Sequence, residues 1–212
     1  MSDLKPLIEA VIKGDIKLAA EEARRALDSG NSAQDILDKG LIAAMDEVGV
    51  RFSKGLLFVP QMLRSAKTMQ ECMKLLESLF QEGDITTKGK VVIGTVKGDL
   101  HDIGKNLVSM MMEGAGFSMV DLGVDVSPER FVEKVQEIEP HIVAMSALLS
   151  TTMPSMRMTM EALKQAGVRG KVKVMIGGAP VTDKYAQEIG ADCYAPDAGS
   201  AVTKAKAILG VS

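Results

Sequence analysis

In roughly the first 80 residues apolar positions recur at spacings of three and four, the period of helices rather than strands. Leu7, Ile8, Val11 and Ile12 share one face of a short helix ending near Gly14. Leu18, Ala19, Ala23, Ala26 and Leu27 mark a second, stopped by Gly30. Ser32, with Asp35 three positions on, has the form of a helix N-cap. Ile36, Leu37, Leu41, Ala44, Met45, Val48 and Phe52 continue from it as a third helix. Pro60 opens a fourth at its first turn, where a missing N–H costs little; its apolar side carries Leu63, Ala66, Met69, Met73, Leu76 and Phe80. The pattern predicts a four-helix bundle over residues 1–83. The polar, glycine-bearing stretch 81–90 interrupts it, and residues 84–90 are expected to form a linker.

From Val91 onward short apolar runs alternate with amphipathic segments. Strands are predicted at 91–95, 118–122, 142–146, 172–176 and 193–195, with helices at 105–113, 128–138, 155–166, 184–189 and 201–209. Alternating strands and helices imply a parallel sheet with right-handed crossovers. The predicted second domain, residues 91–212, is a flavodoxin-like, Rossmann-like five-stranded α/β fold with strand order 2-1-3-4-5. Ligands of such folds lie outside the carboxyl ends of the strands, at the switch point between the first and third. The loop after the first strand reads Gly98-Asp99-Leu100-His101-Asp102-Ile103-Gly104, and that after the third reads Ser146-Ala147-Leu148-Leu149-Ser150-Thr151-Thr152. Both are expected to face one crevice. Gly177-Gly178, after the fourth strand, leaves room for something bulky.

Composition removes several function classes. The formal net charge is −3, with 25 basic and 28 acidic residues, so nothing calls for nucleic acid or a lipid surface. No long uncharged apolar run predicts a membrane span, and the Met-Ser-Asp-Leu-Lys-Pro start has no signal-peptide pattern, so a cytoplasmic location is expected. Cys72 and Cys193 are far apart and suggest neither a zinc site nor a disulfide framework. The run Met110-Met111-Met112 reads as helix packing rather than as a metal site.

The chain has two histidines. His141 follows Pro140 at the amino end of the third strand, away from the ligand side, and reads as structural. His101 lies on the ligand side, two residues after a carboxylate and among glycines. Its Nε2 is placed to ligate a metal while Nδ1–H donates to Asp99, which sets tautomer and ring direction. The loop is not a Walker sequence, since five residues separate its glycines and Lys105-Asn106 follows. One histidine cannot complete a tetrahedral zinc site, but a single protein ligand suffices for a metal that arrives in a macrocycle.

At these residues the chain resembles cobalamin-binding domains. Asp99-x-His101-x-x-Gly104, Ser146-x-Leu148 and Gly177-Gly178 are similar to the three signatures of methionine synthase and several mutases. Gly49-x-x-Phe52 and the stretch from Phe58 to Ala66 resemble the helical cap preceding that domain in methyl-transferring members. In layout the chain is most similar to the small corrinoid proteins of methylamine, methanol and quaternary-amine methyltransferase systems, in methanogenic or acetogenic one-carbon metabolism. It has no length for the homocysteine, folate and activation domains of methionine synthase, which favours a methyl carrier over an autonomous enzyme.

The resemblance implies cobalamin bound with its own base displaced and His101 as the lower cobalt ligand, with methylcobalamin as the charged form. Asp99 would orient the histidine and Thr152 would end the hydrogen-bond relay. Gly98, Asp102, Ile103 and Gly104 would complete the loop. Ser146 and Ser150 would contact the nucleotide tail and Ala198 would lie along it. The displaced base would enter a cleft near Gly123, Gly177 and Gly178, and Leu148 would belong to the cofactor site with them. The implied partners are a substrate:corrinoid methyltransferase, a corrinoid:acceptor methyltransferase using a thiol coenzyme or tetrahydrofolate, and a reductive activase. The helical cap would shield the corrin and hinge at the linker. Two alternatives are a subunit of an adenosylcobalamin mutase, disfavoured by the helical half, and a cobalamin-sensing regulator, disfavoured by the acidic balance. A receiver using Asp99 as acceptor would leave His101 and the double glycine unexplained.

Overall fold

A computed structural model describes residues 3–77, 79 and 87–211. The chain divides into two compact units, one of Met1–Thr87 with Gly114–Gly116 and one of Lys88–Glu113 with Phe117–Ser212. Phe80 and residues 81–86, the last three of them in the expected linker, lie outside the described residues; Lys90, the linker's expected last residue, opens a strand.

The first unit is helical. Helices α1 (Lys5–Lys13), α2 (Ile16–Asp28), α3 (Ala33–Ile36), α4 (Ala43–Ser53) and α5 (Val59–Glu77) are joined by a π-helical stretch, Leu37–Ile42, between α3 and α4. The expected third helix is thus one continuous rod whose middle is wound wider. Ser32 caps it, its Oγ accepting the Asp35 N–H at 3.0 Å. The wider turn lies at Gly40, where a Cβ would come within 2.9 Å of Leu7 Cδ2. α1 packs on α2, α4 and α5. Two expected faces are corrected. α5 buries Met62, Ser65, Ala66, Met69, Cys72 and Leu76, a row rotated by about one residue from the expected one, so that Leu63 and Met73 are only half-buried. The buried hydroxyls on this row bind carbonyl oxygens, Ser65 that of Ile12 at 2.9 Å and Thr68 that of Arg64 at 2.8 Å. On α2 the alanines 19, 23 and 26 are buried and Leu18 is exposed, because small side chains let neighbouring helices approach closely.

In the second unit, strands β1 (Lys90–Thr95), β2 (Ser118–Asp121), β3 (Ile142–Ser146), β4 (Lys173–Gly177) and β5 (Cys193–Ala195) form a parallel sheet in the order β2-β1-β3-β4-β5. Helices α6 (Ile103–Gly114), α7 (Pro128–Ile138), α8 (Met153–Gln165), α9 (Asp183–Ile189) and α10 (Ala198–Leu209) provide the connections. The central strands are apolar without alternation, as expected when both faces are covered. On one face Val92, Val143, Val174 and Ile176 pack in a core with Phe131, Val135, Met156, Met160 and Leu163; Val91, Ile93, Ile142 and Met175 are buried as well. Gly94 makes room for Phe131, whose Cζ would sit 2.9 Å from any Cβ there. Met111 and Met112 are buried, in keeping with a packing role. His141 sits at the amino end of β3, where its Nδ1 accepts the Lys90 N–H at 3.1 Å. The carboxyl ends of β1, β3, β4 and β5 lie along one edge, which places their loops together.

Candidate functional site

β1 ends at Thr95, and the chain turns through Gly98, whose φ of 85° suits a residue without Cβ. Asp99 follows and is completely buried. An ionised carboxylate survives burial only if its oxygens are well bonded, and here each oxygen serves a different loop. Oδ1 accepts the His101 ring Nδ1–H at 2.7 Å and the His101 backbone N–H at 3.1 Å. Oδ2 accepts the Thr152 hydroxyl at 2.7 Å and the Leu148 N–H at 2.8 Å. Burial by itself would push the Asp99 carboxyl up. Hydrogen bonds from Thr152, from the ring and backbone of His101, and from Leu148 outweigh burial and hold it well below the usual carboxylate range.

His101 is held from a third direction, since the buried Thr95 hydroxyl donates to its carbonyl oxygen at 2.8 Å. Its side chain is 51% exposed. With Nδ1 engaged by a carboxylate, Nε2 carries the free lone pair, which is the arrangement of an oriented metal ligand. Leu100 and Ile103, at 72% and 76% exposure, flank His101 in sequence, and Leu148 and Leu149 are half-exposed on the β3 loop. Among the described residues no three His, Cys, Asp or Glu side chains converge on a metal position. One oriented imidazole among apolar side chains fits a flat macrocycle that brings its own equatorial ligands.

Of the expected residues, Asp99, His101, Leu148 and Thr152 are joined by direct bonds, and Leu148 acts through its backbone N–H. Ser146 ends β3, pairs with Gly177, and its carbonyl accepts the Val96 N–H at 3.0 Å. Gly178 is where only glycine fits: its φ is 123°, and a Cβ would lie 1.9 Å from the Ala147 carbonyl oxygen. Gly177 is less constrained, with the Ala195 oxygen 3.0 Å from such a Cβ. No neighbour demands glycine at Gly104. Ser150 is exposed on the β3 loop. Asp102 stands apart from the His–Asp–Thr chain, its carboxylate taking the Asn106 side-chain N–H at 3.1 Å at the head of α6. Ala198 is buried as the first residue of α10, behind the Asp197 cap.

Sequence reasoning missed Thr95, Lys105, Asp121 and Asp125. The Lys105 ammonium is buried in the first turn of α6 against Asn106 Oδ1 at 2.6 Å and the Asp121 carboxylate. Its signal was available: Lys105, Ser109 and Met112 fall on one helical face, and all three are buried. Thr95 is a hydroxyl closing an apolar strand. Asp125 had only the neighbouring Gly123 to mark it.

A family profile described as B12 binding domain matches residues 89–203, and a second with the same description matches residues 4–77. The chain is 48% identical over 210 residues to dimethylamine corrinoid protein 1 of Methanosarcina acetivorans, covering 97% of each chain. It is similar in structure to a cobalamin-binding protein of Desulfitobacterium hafniense, with TM-score 0.84, 34% identity and 98% of each chain covered. It is also similar to a chain of the methanol:cobalamin methyltransferase complex MtaBC of Methanosarcina barkeri, with TM-score 0.86, 29% identity, and 99% of this chain and 80% of that one covered. An oriented histidine on the first loop of a switched parallel sheet, preceded by a helical unit that matches in its own right, means that the chain belongs to the B12-binding corrinoid proteins.

Proposed function

We propose that the chain is a corrinoid methyl carrier, holding cobalamin through His101 and passing a methyl group between two methyltransferases. The first would be specific for the methyl donor, and the second would act on a thiol coenzyme or tetrahydrofolate. One observation carries the reading: a half-exposed imidazole is fixed through Nδ1 by a fully buried carboxylate, on a loop that also exposes Leu100 and Ile103.

When bound, cobalt in a corrin supplies a nucleophile that accepts a methyl cation equivalent and releases it to another acceptor. The protein's part is placement. Asp99 keeps the proton on Nδ1 and so keeps the Nε2 lone pair outward. Thr152 and the Leu148 N–H hold Asp99, and Thr95 holds the His101 backbone. Leu100, Ile103, Leu148 and Leu149 offer an apolar seat. Gly98, Asp102, Gly104, Ser146, Ser150, Gly177, Gly178 and Ala198 are assigned to the rest of the cofactor site. At Gly177 and Gly178 the room left by the missing side chains is taken by the Ala195 and Ala147 backbones rather than left open, so their assignment rests on the resemblance.

A relative named for dimethylamine and a neighbour from a methanol:cobalamin methyltransferase complex support methyltransferases as partners. A reductive activase and a cytoplasmic setting belong to the same proposal, because the reduced cobalt that accepts a methyl group is easily oxidised. The test is reconstitution of the cofactor-free chain with hydroxocobalamin, gel filtration, and absorption and electron-spin spectra after reduction to cobalt(II). Wild type is expected to retain cobalamin with an imidazole nitrogen on cobalt, and His101→Ala to lose that nitrogen signature. A signature unchanged in His101→Ala would sink the assignment.

A further inference from the structure

The loop after β2 grips the histidine loop on both sides. Asp125 has φ 53°, one of only two positive values at non-glycine positions among the described residues. Left-handed backbone is unfavourable for any residue with a Cβ, and Asp is among the few that tolerate it singly. Two bonds hold Asp125 there. Its Oδ1 accepts the Gly98 N–H at 2.7 Å, and its own N–H donates to the Asp99 carbonyl oxygen at 2.9 Å. Beyond the histidine, Asp121 at the end of β2 pairs with the buried Lys105 ammonium, and its other oxygen accepts the Gly123 N–H at 2.8 Å. The ladder continues at the base of the loop, where the Thr95 N–H donates to the Gly123 carbonyl at 3.0 Å and the Val126 N–H to the Thr95 carbonyl at 2.9 Å. Strained backbone held this firmly beside a site is a reason to look for function in it.

We infer that Asp125 is a positioning residue for His101. By fixing the Gly98 and Asp99 peptides it sets where the Asp99 carboxylate lies, and through it the direction of the imidazole Nε2. Thr152 and Leu148 secure the carboxylate from the β3 side, and Asp125 secures its backbone from the β2 side. The inference rests on the cofactor reading only for the second of its two readouts.

The experiment compares full-length wild type, Asp125→Gly and Asp125→Asn. Glycine tolerates the left-handed backbone and removes the acceptor; asparagine tolerates it and keeps an acceptor oxygen. In the cofactor-free chain, nitrogen NMR of the His101 ring is expected to find the Nδ1–H tautomer dominant in wild type and Asp125→Asn, and mixed tautomers in Asp125→Gly. With hydroxocobalamin, Asp125→Gly is expected to bind about tenfold more weakly, the effect of one hydrogen bond of that strength, and to lose part of the imidazole splitting in the cobalt(II) spectrum. Asp125→Asn should stay close to wild type in both. Wild-type tautomer and affinity in Asp125→Gly overturn the inference, and so does an Asp125→Asn that behaves like the glycine variant. If wild type takes up no cobalamin, the cofactor reading fails while the tautomer measurement still decides the role of Asp125.

Discussion

Asp99 spends one carboxylate oxygen on the histidine and the other on a loop contributed by a different strand. Every donor that reaches Oδ2 therefore acts on His101 at one remove. Thr152→Val keeps the shape and deletes one of those donors. It is expected to lower stability by about 1–2 kcal/mol in urea unfolding, whereas Thr152→Ser stays near wild type. Equal stability for the two would argue that the Leu148 and Leu149 N–H groups suffice to hold the carboxylate. The cysteines give a second residue-scale expectation. Burial pushes both thiols up to about 11, with Lys204 partly opposing the shift at Cys193 and Glu71 adding to it at Cys72. A raised thiol value means the neutral form persists through physiological pH; at pH 8 only about one thiol in a thousand is the nucleophilic thiolate. Alkylation of the folded chain should be slow at pH 8 and accelerate about tenfold per pH unit toward 11. Fast labelling at pH 8 would contradict this.

Among the elements, the join between β2 and α6 is asymmetric. The Lys105 side chain is 2% exposed and that of Asp121 is 37% exposed. Asp121→Ala strands a buried cation with Asn106 as its remaining partner and is expected to cost about 3 kcal/mol, while Lys105→Met leaves a carboxylate that water can reach and costs about 1 kcal/mol. Thermal or urea unfolding of the two variants reads the order, and a reversed order would refute the burial argument. Gly178 and Gly190 form a second pair. Both have positive φ, but only Gly178 faces a backbone atom where a Cβ would go. Gly190→Ala is expected to cost about 1 kcal/mol, and Gly178→Ala about 2–4 kcal/mol with loss of cobalamin affinity, because two chain segments must separate.

These elements also explain what could be read in advance. All five strands fall within a residue of their expected positions, because fully buried parallel strands are continuous apolar runs that nothing else in this chain imitates. Ser32 marks its helix start faithfully, since a cap needs a short side-chain acceptor at one position. The π stretch at Leu37–Ile42 was illegible because an extra residue per turn leaves the apolar residues at plausible spacings. Met62 and Cys72 were missed as core for a related reason: on α5 the apolar residues exceed one face, and packing decides between adjacent rows. At the site, His101, Asp99 and Thr152 were legible from their loops. Asp125 was not, since its partners lie on a loop whose proximity only the folded sheet creates, and Lys105 was overlooked although Ser109 and Met112 share its helical face.

At the scale of the whole molecule, binding should register as stability. A ligand that binds only the folded chain adds about 2.7 kcal/mol at a hundred times its Kd, and in a chain of this size each kcal/mol moves Tm by about 2–4 °C. Hydroxocobalamin is therefore expected to raise the transition by several degrees in wild type and by much less in His101→Ala. Equal shifts would mean that the imidazole contributes nothing to retention. Among the described residues no helix is long and apolar enough to cross a membrane.

The split allegiance of Asp99 also bears on how the chain folds. Its contacts with Leu148 and Thr152 span sequence separations of 49 and 53 residues, and contacts so far apart close late because their loop entropy must be met first. β1 and α6 alone would present a histidine bonded to a carboxylate whose Oδ2 has lost its donors. The carboxylate is fully held only when β3 has docked beside β1, so a partly folded chain is expected to hold the cofactor less well. The proposed ligation by His101 would thus also serve as a check that the sheet has closed.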